Sequence, residues 1–236
     1  MIIIKRLIGT LILTVCLVAS VAAVADDAAA KPTGNRFEVA IKHFEMKDKK
    51  SPPPPHAILF LGSSSIRFWK LDKWFTNMDV INRGFGGSEI SDSIYFFDRV
   101  VTPYHPRQIV FYAGDNDIAA GKSPEQVAKD FASFTSMVHK TLPGTKITFL
   151  AIKPSIARWK LVDKMRQANV LIKKQVQADP RLEYIDTFSA LLDPKGQPRK
   201  DLFRKDGLHL NEDGYALWTG LLYPHLLMPK EVSPKK

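Results

Sequence analysis

The 236-residue chain has a single cysteine, Cys16, and it lies in the apolar N-terminal stretch. Disulfides within the remainder are therefore excluded, and the core must be held by burial alone. No cluster of His, Cys and Glu stands at metal-binding spacing, so no metal site is expected, and no organic cofactor is implied. The G-x-S-x-G elbow of α/β-hydrolases is missing. So are the lysine of a P-loop and the strict glycine spacing of a dinucleotide fold. Long blocks of one charge are absent too. The formal charge is +10, but the basic residues are scattered: Lys47, Lys49, Lys50, Lys173, Lys174, Arg199, Lys200, Arg204, Lys205 and Lys235-Lys236. None of them forms a block interleaved with aromatics, so no nucleic-acid partner is expected. A solvated basic surface is the simpler account, although such a surface attracts anionic polymers, membranes or acidic substrates.

What the N-terminus does have is a three-part pattern. Lys5 and Arg6 precede an uncharged stretch from Leu7 to Ala25, and Ala23-Val24-Ala25 reads as a cleavage site. This predicts a signal peptide over 1–25 and an exported chain, periplasmic or secreted, with no stable membrane insertion after cleavage. The alternative is an uncleaved anchor, because the uncharged stretch is nearly long enough to span a bilayer. Val15 is too large for a good lipoprotein processing site before Cys16. Residues 26–35 read as a flexible leader, 36–229 as one domain and 230–236 as a basic tail. About 210 residues suffice for a domain that buries some 70% of its extended-chain surface.

Within the domain, Asn35 is placed to cap a first helix with Phe37, Ile41 and Phe44 on one face. Pro52 to Pro55 forces an extended spacer into an apolar run. Strands are expected over 57–61, 79–82, 108–113, 146–152 and 183–186. Helices are expected over 65–75, 88–101, 124–141, 158–178 and 211–227. Ser123-Pro124 starts one helix clearly, and Leu142-Pro143-Gly144 stops it. The strands are apolar almost throughout, as in a sheet covered on both faces. The βαβα alternation predicts an α/β/α sandwich with a five-stranded parallel sheet. Ligands then sit beyond the carboxyl ends of the strands, in loops 62–65, 83–88, 114–118 and 153–157.

Those loops, the residues that follow the last of them and the C-terminal segment carry the candidate chemistry. Gly62-Ser63-Ser64-Ser65 presents hydroxyls between a strand and a helix, either as a nucleophile or as plain helix capping. Asn82-Arg83-Gly84-Phe85-Gly86-Gly87-Ser88 is a glycine-rich loop, able to bring a backbone N–H to a reacting oxygen. Gly114-Asp115-Asn116-Asp117 is ordinary turn chemistry, or a side-chain amide aimed at the strand ends. Asp206-Gly207-Leu208-His209 spaces a carboxylate against an imidazole, as an orienting pair, a metal-ligand pair or a cap. Arg158 and Trp159 follow the fourth strand and are candidates to flank a substrate, or to pack. Trp69, Trp74 and Trp218 read as packing residues.

Taken together and in this order, the four blocks resemble those of SGNH/GDSL hydrolases. They stand here as Gly62-Ser63-Ser64, Gly87, Gly114-Asp115-Asn116-Asp117 and Asp206-Gly207-Leu208-His209. The resemblance covers roughly residues 36–227 and is most similar to the subgroup of platelet-activating-factor acetylhydrolase subunits. It implies a flavodoxin-like fold and a serine esterase with Ser64 as nucleophile, His209 as base and Asp206 as its orienting partner. It also implies an oxyanion hole from the N–H groups of Ser64 and Gly87 and the amide of Asn116, with Gly86 as the competitor of Gly87. Ser63 departs from the family pattern, which usually has aspartate there. The expected substrate is an ester with a small acyl group, small-molecule or polysaccharide, such as an acetyl ester on carbohydrate. Lysophospholipid or thioester hydrolysis is the alternative reaction, and polysaccharide binding without catalysis the alternative outside enzymes.

Overall fold

Five apolar runs become five parallel strands: β1 (Ile58–Gly62), β2 (Val80–Gly84), β3 (Gln108–Tyr112), β4 (Lys146–Leu150) and β5 (Leu182–Ile185). The computed structural model describes residues 34–228. The expected signal peptide, nearly all of the leader and the basic tail lie outside the described residues. Strand order is β2-β1-β3-β4-β5, so the chain crosses from one side of β1 to the other after β2. The crevice at such a reversal, at the carboxyl ends of β1 and β3, is where ligands bind in open α/β sheets.

The helices in chain order are α1 (Glu38–Lys50), α2 (Ser64–Arg67), α3 (Leu71–Trp74), α4 (Ile90–Tyr95), α5 (Phe97–Val100), α6 (Asp115–Ala119), α7 (Pro124–Thr141), α8 (Val162–Gln177) and α9 (Glu212–Leu222). Side chains alternate across a strand, and that alternation builds two cores. On β1, Leu59 and Leu61 join Ile41 of α1, Phe131 and Phe134 of α7, and Met165 and Ile172 of α8. Ile58 and Phe60 point the other way, against Trp69, Phe75 and the α9 residues Tyr215, Trp218 and Leu222. This is the expected three-layer α/β/α sandwich. Every residue of β1 and β3 is buried, which explains why neither run shows an apolar–polar alternation.

The long helices follow their sequence signals. The hydroxyl of Ser123 accepts from the Gln126 N–H at 3.2 Å, and Val127, Phe131, Phe134 and Val138 form the buried stripe of α7. Elsewhere the segments are more broken than periodicity suggests. The helix expected over 65–75 is two single turns, because Asn82 of β2 donates to the carbonyls of Ile66 (2.8 Å) and Trp69 (3.2 Å) and satisfies the chain where it leaves the helix. The segment 88–101 divides at Phe96, whose backbone (φ −93, ψ 12) leaves the helical region. The one expected over 158–178 opens with a 3-10 turn, Trp159–Leu161, before α8. At the N-terminus a 3-10 turn, Gly34–Phe37, precedes α1, so the helix begins later than an Asn35 cap implies.

Candidate active site

The Ser63–Ser65 turn is set by close approach of two strands. Gly62 ends β1 with φ +141, and a β-carbon there would overlap the carbonyl of Tyr112 on β3. Only glycine fits that approach without strain. The N–H of Ser63 then donates to the same carbonyl at 3.2 Å, and Ser64 opens α2 with a half-buried side chain. Among the described residues, the Ser64 N–H has no protein acceptor, as expected for the first residue of a helix.

Asp206 and His209 come from the irregular stretch after β5. An antiparallel bridge between Phe203 and Leu210 closes their loop, and the Arg204 N–H donates to the His209 carbonyl at 2.8 Å. Oδ1 of Asp206 accepts the N–H groups of Leu208 and His209, each at 2.9 Å. Its Oδ2 lies 2.6 Å from Nδ1 of His209. Nε2 of His209 lies 3.0 Å from Oγ of Ser64. Burial pushes the Asp206 carboxyl up, but the hydrogen bonds from the imidazole and the two backbone N–H groups outweigh it and hold the group well below the usual carboxylate range. The ring of Phe68 meets the imidazole edge-on, 5.1 Å between centroids at 88°.

The other two candidate residues of the site are Gly87 and Asn116. Gly87 has φ +83 and open space where a β-carbon would be, whereas a β-carbon on Gly86 would lie 3.7 Å from that of Ser64. The N–H groups of both glycines lack protein acceptors among the described residues. Asn116 lies in α6, a helix formed where a plain turn was expected, after Gly114 turns the chain with φ +116. Its Nδ2 donates to the Ser88 carbonyl at 2.9 Å, leaving one amide hydrogen for a ligand. Asp117 is fully buried and accepts the Ile90 N–H at 3.2 Å and the Lys122 ammonium at 3.0 Å. It thereby ties the loop that carries Gly87 to the end of β3. Burial is the strongest influence on its carboxyl and raises it to about 6 in spite of Lys122.

Arg158 is engaged rather than free. Nη2 donates to Oδ1 of Asn116 at 2.9 Å, and Nη1 lies 3.1 Å from Oδ2 of Asp115 as an ion contact without an aligned hydrogen bond. Lys153, 1% exposed, donates to the same Asp115 oxygen at 3.1 Å. Burial opposes ionisation of Asp115, but the two cations prevail and lower it. Trp159, the other candidate flanking residue, is half-buried against the main core. The roles of Asp115, Asp117, Lys153 and Phe68 were not read from sequence. The first two sit inside the block that contains Asn116, and Lys153 opens a loop already marked by the fold.

The arrangement joins a hydroxyl, an imidazole and an ionised carboxylate in one line of contacts. That is the equipment of acyl transfer. Among the described residues no group of three or more His, Cys, Asp or Glu is placed to hold a metal ion. No described helix is long and apolar enough to cross a membrane.

A model of the GDSL-like lipase/acylhydrolase family matches residues 66–217, more than half of the chain. The match includes Asn116, Asp206 and His209 and begins two residues after Ser64. Among solved structures, the chain is similar to a Streptococcus pneumonia protein assigned as a platelet activating factor (23% identity, 81% of this chain and 94% of that one, TM-score 0.72). A GDSL-like lipase from Bacteroides thetaiotaomicron shares 18% identity over 78% of this chain and 96% of that one, with TM-score 0.69. A mutant of the acetyl-xylooligosaccharide esterase of Geobacillus Stearmophilus shares 13% over 73% and 94%, with TM-score 0.60. At these identities the likeness shows a shared fold. No curated protein matches the sequence.

Proposed function

The chain belongs to the GDSL-like lipase/acylhydrolase family and is an ester-hydrolysing serine hydrolase, and on that premise we propose that Ser64, His209 and Asp206 are its catalytic triad. The observation that carries this reading is the continuous line of contacts from Asp206 to His209 (2.6 Å) and from His209 to Ser64 (3.0 Å). Asp206 keeps the proton on Nδ1, so Nε2 accepts the proton of the Ser64 hydroxyl as Oγ attacks the ester carbonyl. The carbonyl oxygen becomes an oxyanion facing the N–H groups of Ser64 and Gly87 and the remaining amide hydrogen of Asn116. Collapse breaks the ester C–O bond, and the departing alcohol takes the proton from Nε2. Water then attacks the acyl-Ser64 with the same base, and the carboxylic acid leaves.

The substrate in this proposal is an ester with a small acyl group, such as an acetyl ester on carbohydrate. The fold shared with an acetyl-xylooligosaccharide esterase supports it. The apolar N-terminal pattern with Ala23-Val24-Ala25 supports export to the periplasm or medium, which cell fractionation and a mature N-terminus at Asp26 would test.

Residues 26–236, purified, should release nitrophenol from p-nitrophenyl acetate and take a fluorophosphonate label at Ser64. Ser64→Ala should lose both. Folded protein that does neither would overturn the triad.

A further inference from the structure

A cleft of about 260 Å³ lies against Phe68, walled by Phe68 and Trp74 and bordered by Lys70, Lys73, Arg204 and Glu212. Phe68 is the shared wall, since its ring also meets His209. Trp74, expected from sequence to be a packing residue, is half-buried and faces this space. Two observations decide what the cleft takes.

The first is position. His209 hands its proton to the departing alcohol, so that oxygen lies on the imidazole side of Ser64. The carbonyl oxygen lies opposite, toward Gly87 and Asn116. A cleft reached past Phe68 therefore receives the alcohol part of the ester and not the acyl group.

The second is charge. Lys73 is paired with Glu212, the cleft's sole carboxylate. No carboxylate lies within salt-bridge distance of Lys70 or Arg204 among the described residues, which leaves two cations unmatched. The guanidinium of Arg204 is also held in place. Its Nε donates to the Leu210 carbonyl at 3.1 Å, and its Cζ lies 4.5 Å over the Phe68 ring. Among the described residues its two terminal nitrogens make no hydrogen bond, and such a fork suits a carboxylate or phosphate. The volume is below the roughly 300–1,000 Å³ of drug-sized pockets, which suits one sugar ring.

We infer that this cleft binds an anionic sugar, so that the preferred substrate is an acyl ester whose alcohol part bears a carboxylate or phosphate. The inference rests on the esterase reading above and adds a substrate class to it. Charge on the alcohol lets Arg204 and Lys70 gain a partner that a neutral sugar does not supply.

The test compares kcat/KM for an O-acetylated methyl glucoside, the corresponding glucuronoside and the corresponding 6-phosphate. Hydrogen bonds to charged groups predict a preference of about tenfold or more for at least one anionic ester. Preference for the glucuronoside alone assigns a carboxylate, and preference for the 6-phosphate alone assigns a phosphate. The preference should shrink at high salt. Arg204→Gln and Lys70→Gln should each lower the ratio of anionic to neutral turnover. Lys70 is exposed and makes no side-chain hydrogen bond among the described residues, so its variant remains informative if the Arg204 variant fails to fold. A wild-type ratio near one, or a ratio unchanged in folded Lys70→Gln and Arg204→Gln, overturns the inference while p-nitrophenyl acetate is still hydrolysed. Failure of the wild type to hydrolyse p-nitrophenyl acetate would instead overturn the esterase reading.

Discussion

Oδ1 of Asn116 accepts from Arg158 at 2.9 Å while Nδ2 of the same amide donates to Ser88 at 2.9 Å. A guanidinium can only donate, so the amide cannot turn over without setting donor against donor. Arg158 thus fixes the orientation of the Asn116 amide, and Asp115 in turn holds Arg158. We propose that Arg158, expected to border the substrate, acts as a positioning residue.

Asn116→Ala should lower kcat by about 10²–10³, the usual loss for one oxyanion donor. Arg158→Gln should lower kcat by a smaller factor with KM little changed, because the amide survives but is no longer locked. Steady-state kinetics on p-nitrophenyl acetate separate the two. A change confined to KM would return Arg158 to substrate contact.

The pH profile should have a single acid limb. Asp206 is held ionised well below the usual range by its hydrogen bonds, so it does not titrate at ordinary assay pH. A general base must be unprotonated to accept from Ser64, so kcat/KM should decline toward acid. A profile flat toward acid removes His209 as the base. Asp206→Asn should cost about 10⁴ in kcat by releasing the tautomer.

Ser63, where the family usually has aspartate, is 1% exposed and its hydroxyl has no hydrogen-bond partner among the described residues. Ser63→Ala should therefore change stability by less than about 1 kcal/mol, since no hydrogen bond is lost, and should keep esterase activity. Ser63→Asp should destabilise the protein, because a carboxylate there is buried without a cation. Denaturant titration of both variants, beside Ser64→Ala, measures this.

Lys153→Met should be costly for a different reason. It leaves Asp115 buried with only the ion contact from Arg158, and breaking a buried pair from one side costs about 3–5 kcal/mol. The double variant Lys153→Met, Asp115→Leu should recover part of the stability and still be slow, because Arg158 loses its anchor. Recovery of full activity along with stability would show that Asp115 has no part in holding Arg158.

The strands were legible because each is a short apolar run that both layers cover, and α7 because capping, stripe and stop signals agree. The breaks at Phe68–Lys70 and Phe96 were not, since apolar spacing continues across them and the cause is a contact from another element, Asn82 in the first case. At the site, Ser64, Gly87, Asn116, Asp206 and His209 stood in recognisable blocks. Lys153 and Asp115 lie 38 residues apart, and neither has local chemistry that signals the other. The scattered basic residues likewise gave no hint that Lys70 and Arg204 converge on one cleft, because they meet only when the stretch after β5 folds back over α2.

All five strands precede Asp206 in the chain, so the hydroxyl and the base that activates it belong to parts made at different times. A ribosome that has finished the sheet has produced a serine with no partner, and hydrolytic competence arrives only with the bridge between Phe203 and Leu210. A protease cut in the irregular stretch between β5 and that bridge would leave the sheet in one fragment and the imidazole in another. If the proposed triad holds, turnover of a chromogenic ester works as a built-in reporter of chain integrity through Leu210.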